Sequence, residues 1–123
     1  MTTAHPPPSR DDLVEVQVQL PTRLTVLSLG RGLLTARLAA TVRASGPIQL
    51  QVRADGGLAR PVRAWHLTAL TTGACALAAR AYLEAACPSA AHDITVRFLT
   101  DVSAAYRAWV HDSMGSSAPP RLD

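Results

Sequence analysis

From Leu13 to Leu20 apolar and polar residues alternate, with Val14, Val16, Val18 and Leu20 on one side and Glu15, Gln17 and Gln19 on the other. A period of two predicts a strand buried on one face. Pro21 ends it, and Thr22 to Gly32, with Gly30 and Gly32 near its end, reads as a long loop with some extended structure. From Leu33 to Ser45 the period changes to four, through Leu34, Leu38 and Val42 with Ala36, Ala39 and Ala40 beside them, and this predicts the first helix. Gly46 and Pro47 close it. Ile48, Leu50 and Val52 then alternate with Gln49, Gln51 and Arg53 as a second strand.

Asp55, Gly56 and Gly57 tolerate the positive φ that a tight reversal needs, and Val62 and Ala64 alternate with Pro61, Arg63 and Trp65 beyond it, so a hairpin is predicted. Pro61 has no amide donor, which sets the third strand at a sheet edge or starts it near that residue. Leu67, Leu70, Ala74, Leu77, Ala81 and Ala85 fall at helical steps interrupted by Thr71, Thr72 and Gly73, giving one long helix or two short ones. After Pro88, Ile94, Val96 and Phe98 form a fourth strand, and Val102, Ala105, Tyr106, Trp109 and Val110 mark a last helix.

The order β-α-β-β-α-β-α fits an α+β domain with a four-stranded antiparallel sheet covered by helices. It is either an open-faced β-sandwich or a ferredoxin-like plait with an extra C-terminal helix. Residues 13–112 form the expected domain. The tail 1–12, with Pro6, Pro7 and Pro8, and the tail 113–123, with Gly115, Pro119 and Pro120, are expected to be disordered.

A length of 123 residues suits one core, and no disulfide or metal is needed to stabilise it. Cys75 and Cys87 lie twelve apart in an alanine-rich stretch, with no second ligand pair nearby; they read as free thiols in a reducing compartment. The amino terminus lacks the basic start and apolar run of a secretory signal, and Arg80 and Glu84 interrupt the longest apolar stretch, Ala74 to Cys87. A cytoplasmic protein without a membrane span is expected. All twelve basic residues are arginine, but the net charge of +3 is modest and names no partner.

Gly32-Leu33-Leu34-Thr35-Ala36-Arg37-Leu38-Ala39-Ala40 resembles the signature Gly-Leu-His-Ala-Arg-Pro-Ala-Ala of the HPr phosphocarrier family of the sugar phosphotransferase system. Ile48 to Gly56 is similar to that family's second strand and Asp-Gly turn, Val62-Arg63-Ala64-Trp65-His66-Leu67 to its Val-Asn-Ala-Lys-Ser-Ile, and Gly73-Ala74 to its Gly-Ala. Asp93 to Val96 and Asp101 to His111 follow in order, and residues 75–92 stand as a mostly helical insertion.

The resemblance implies an HPr-like open-faced sandwich in which Thr35 occupies the phosphohistidine position. A threonine ester is too stable to pass its phosphoryl group on, so the implied role is a non-phosphorylatable regulatory or binding module, not an active phosphocarrier. Its partner would be a phosphotransferase enzyme or regulator, bound through Thr35, Arg37 and His66, with His66 replacing a regulatory serine at the start of the second helix. Leu38 stands where the family has proline and relaxes the anion-binding geometry.

The residues alone leave two other readings. Gln17, Gln49, Gln51, Arg53, Arg63 and Arg97 would share a solvent-facing sheet surface for nucleic acid, but no aromatic pair interleaves with them, which argues against it. The 75–92 stretch, with Leu77, Tyr82 and Leu83, would either pack on its own sheet or form a homodimer interface. His5, His92 and His111 join no metal or catalytic set, so neither an enzyme nor a cofactor is expected.

Overall fold

The computed structural model describes residues 9, 11–53, 55–57, 59–88 and 93–115. Strand β1 (Leu13–Leu20) is the one the alternation predicts, and its even-numbered apolar residues are buried. Pro21 stops it. Thr22 then caps a helix, α1 (Arg23–Thr35), by accepting a hydrogen bond on its side chain from the Thr25 amide at 3.2 Å.

This helix takes the place of the expected loop. Gly30 and Gly32 each cost a helix about 1 kcal/mol of propensity, but here they are where α1 meets its neighbours. A Cβ on Gly30 would lie 2.6 Å from Val42 Cγ1, and one on Gly32 would run into the Tyr82 hydroxyl. Val26, Gly30 and Leu33 form the buried stripe, at steps of four and three.

The helix expected over Leu33 to Ser45 is likewise corrected. Only Leu33 to Thr35 is helical, and the chain leaves α1 through a pair of bonds in which the Leu38 amide donates to Leu33 O (2.9 Å) and the Arg37 amide to Leu34 O (3.1 Å). That is a Schellman closure, with Arg37 in the left-handed position at φ 58°. A side chain there costs about 1 kcal/mol relative to glycine. Arg37→Gly is therefore expected to raise the urea midpoint, by about 1 kcal/mol of unfolding free energy with unchanged slope.

Strand β2 (Thr41–Arg53) and strand β3 (Ala59–Thr72) form a long hairpin around the turn Asp55–Gly57. Its register slips by one between Ser45 and Ile48, beside Gly46 (φ 153°), where the Trp65 ring leaves no room for a Cβ. The helical stretch expected from Leu67 starts late: Leu67 to Thr72 continue β3, buried throughout, and only from Gly73 is the chain helical, as α2 (Gly73–Ala86). Strand β4 (Thr95–Leu99) and helix α3 (Ala104–Gly115) complete the chain.

The sheet order is β2-β3-β1-β4, every neighbour antiparallel. Helices α1 and α2 cover one face, where Val14, Val16, Val18, Leu33, Leu67, Ala79 and Leu83 belong to the main core. Helix α3 lies on the other face at one end, with Val110 packed against Leu13 and Leu70. The fold is thus the α+β class expected, a four-stranded antiparallel open sheet with three helices. With β1 and β3 central, its strand order is that of the split βαβ plait, and α3 is the added helix.

Strand β1 stops at Leu20, opposite Trp65, whereas β2 and β3 run on together from Ile48↔Ala64 to Arg53↔Ala59. This end of the hairpin is a two-stranded ribbon beyond the sheet. Pro61 lies within it, where β3 has no outer neighbour to receive the missing amide hydrogen bond. Among the described residues, no helix is long and apolar enough to cross a membrane.

Candidate functional site on the open face of the sheet

Directly paired residues of antiparallel strands point to the same face. The face away from α1 and α2 therefore carries Glu15, Gln17 and Gln19 of β1; His66, Thr68 and Leu70 of β3; Thr41, Arg43 and Ser45 of β2; and Thr95 and Arg97 of β4. The alternation in β1 predicts a solvated polar side here, but Glu15 is only 9% exposed.

A buried carboxylate needs partners, and two neighbouring strands supply them. Arg97, directly across in β4, donates from Nη2 to Glu15 Oε1 at 3.0 Å. Arg43 of β2 brings its Nη2 to 3.7 Å from Glu15 Oε2, an ion pair beyond hydrogen-bond length. Both arginine side chains remain open to solvent, at 69% for Arg43 and 64% for Arg97. Beside them is a cavity of about 200 Å³ edged by Glu15, Thr41, Arg43, Thr68 and Tyr106. The Tyr106 ring is stacked on Trp109, centroids 6.1 Å apart and planes 7° from parallel. Guanidiniums and hydroxyls around a committed carboxylate can hold an anion, and they offer no free base.

The residues singled out from sequence do not meet. Thr35 is the last residue of α1 and Arg37 is two residues beyond it, whereas His66 sits within β3, paired with Gln19 and Ser45. The helix start that the phosphocarrier resemblance implies beside Thr35 is a helix end, where the dipole disfavours an added anion. His66 is likewise not at a helix start. Its Nε2 is buried without a hydrogen-bond partner among the described residues, beside a cavity of about 70 Å³ lined also by Gln17, Gln19, Asp93 and Thr95.

The six residues expected to share a polar surface are divided. Past the register slip Gln49 pairs with Arg63 and Gln51 with Pro61, which puts them and Arg53 opposite Gln17 and Arg97. In α2 only Ala76, Ala79 and Leu83 are buried against the sheet and Tyr82 packs at Gly32, whereas Ala74, Ala78, Ala81, Ala85 and Ala86 are exposed and Leu77 stays 75% exposed. Cys75 and Cys87 are half-buried, and no three His, Cys, Asp or Glu side chains cluster as for a metal ion among the described residues. His5 and His92 lie outside the described residues.

Glu15, Arg43 and Tyr106 were not picked out by sequence reasoning. One signal was present: a carboxylate in mid-strand on β1, with Arg97 in a second alternating segment; Arg43 lay in the stretch whose period of four reads as a helix.

No protein-family model matches the chain, and no curated protein does. Solved structures do. CutA from Synechococcus elongatus is 25% identical, with a TM-score of 0.72 over 85% of this chain and 92% of that one. The divalent ion tolerance protein CutA1 from Ehrlichia chaffeensis is 16% identical, with a TM-score of 0.75 over 88% and 100%. The protein from Archaeoglobus fulgidus described as periplasmic divalent cation tolerance protein CutA is 14% identical, with a TM-score of 0.71 over 83% and 98%. These matches, and the place of Thr35 at a helix end, overturn the HPr resemblance and the phosphotransferase partner it implied: the chain shares its fold with CutA proteins.

Proposed function

We propose that the chain is a self-associating binding protein of the divalent-cation-tolerance type, without catalysis of its own. The observation that carries this is the near full-length likeness in fold to proteins named for divalent ion tolerance, supported by the 25% identity to the Synechococcus elongatus CutA.

Self-association is supported by the ribbon. An isolated two-stranded hairpin is marginal in water, and unpaired strand edges recruit further strands. Here the register puts Ile48, Leu50, Val52 and Val62 on one side of the ribbon, continuous with the open face of the sheet. A second copy would bury that side. Cytoplasmic residence belongs to the same proposal; the Archaeoglobus protein is described as periplasmic, and fractionation of the native cells decides between the two compartments.

Cells lacking the gene are expected to grow less well on copper(II), zinc(II) or cobalt(II), and to recover with a plasmid copy; unchanged growth on every cation rejects the tolerance reading. Light scattering is expected to give at least twice the 13.0 kDa of one chain. Leu50→Asp with Val62→Asp should reduce it to one chain with an unaltered circular dichroism spectrum. A wild-type protein of single-chain mass rejects self-association.

A further inference from the structure

We propose that Arg43 and Arg97, gathered by Glu15, form a binding site for a small dianion, either a phosphate group or a short dicarboxylate. The inference is independent of cation tolerance, and it places the site on the open face, beside the ribbon side that a second copy would bury. It starts from the charge balance: two guanidiniums converge on one carboxylate, leaving an excess of one positive charge at the floor of an open face.

The donors are available. Each guanidinium has five N–H groups. Arg97 spends one on Glu15, and Arg43, at 3.7 Å, makes an ion pair but no hydrogen bond among the described residues. Glu15, only 9% exposed and on the central strand, fixes the two arginines from opposite edges of the sheet, so less side-chain entropy is lost when an anion arrives. Arginine forks suit the paired oxygens of phosphate and carboxylate.

The space also fits. A cavity of about 200 Å³, lined by Arg43 and Glu15 with Arg97 outside the lining on the other carboxylate oxygen, holds about six waters at about 30 Å³ each, the scale of a phosphate group or a four-carbon diacid. Thr41 and Thr68 line it with hydroxyls. Leu70 and Leu99 add apolar surface, and the Tyr106 ring, braced on Trp109, bounds one side.

Calorimetric titration of the intact protein, in the assembly it adopts and at an ionic strength of about 20 mM where screening is weak, tests this with sodium phosphate and with succinate, against chloride at matched ionic strength. Saturable binding of one anion per chain is expected for phosphate, for succinate or for both, and the pattern identifies the source. Arg97→Met and Arg43→Met should each weaken it about tenfold or more. Arg31→Met, on the exposed side of α1, should leave it unchanged. Saturation by neither anion below about 10 mM, affinity indifferent to Arg97 and Arg43, or equal loss on changing Arg31 would each overturn the site.

Discussion

Leu67→Ala is expected to lower the unfolding free energy by about 2–5 kcal/mol, a large share of the roughly 5–15 kcal/mol that holds a domain of this size together. Leu67 is 0% exposed, on the central strand β3, and belongs to the main core beneath α1 and α2. Its loss removes transfer energy and leaves a cavity that the sheet cannot collapse around, because β1 and β2 hold β3 on both sides at that rung. Urea unfolding should show a lower midpoint at unchanged slope. Leu77→Ala is the internal control: that side chain is 75% exposed on α2, and its removal should stay within about 0.5 kcal/mol. Equal losses at the two positions would show that the face assignment of β3 is wrong.

Leu67 also shows why part of the fold could not be read from the sequence. A strand with one wet face alternates, and β1 was legible to the residue on that ground alone. The inner half of β3 is buried on both faces, by α1 and α2 on one and by α3 and the arginines on the other, so Leu67 to Thr72 show no period of two. The leucines at 67 and 70 then imitate a helix, although Thr68, Thr71 and Thr72 carry the β-branched signal that separates the two cases.

The misleading motif has a similar cause. Ala36-Arg37-Leu38-Ala39-Ala40 is built of common residues, and their order agrees with a phosphocarrier helix, but in the folded chain they form a helix exit and the approach to β2. The chemistry reverses with the position. A helix start presents free amides to a phosphate, whereas a helix end presents carbonyls. The open-face site was hidden for another reason: Glu15, Arg43 and Arg97 are far apart in the chain and come together only once the strand order is known.

Gly30 provides the sharpest test of why α1 is a helix at all. In isolation Gly30→Ala should help, since alanine gains about 1 kcal/mol in a helix interior. In this fold the new methyl would sit 2.6 Å from Val42 Cγ1, and overpacking of that kind costs about 1–3 kcal/mol, so the single variant is expected to be less stable than the parent, by up to about 2 kcal/mol. Val42→Ala should remove the obstruction and leave a gap on the sheet side. In that background Gly30→Ala should become stabilising by about 1 kcal/mol, a reversal of sign that a double-mutant cycle in urea reads directly. Additive losses in the two backgrounds would mean that α1 does not meet β2 at this glycine. The reversal, if found, establishes that the close approach of α1 to β2 at Val42, not intrinsic helical preference, selects glycine at this position.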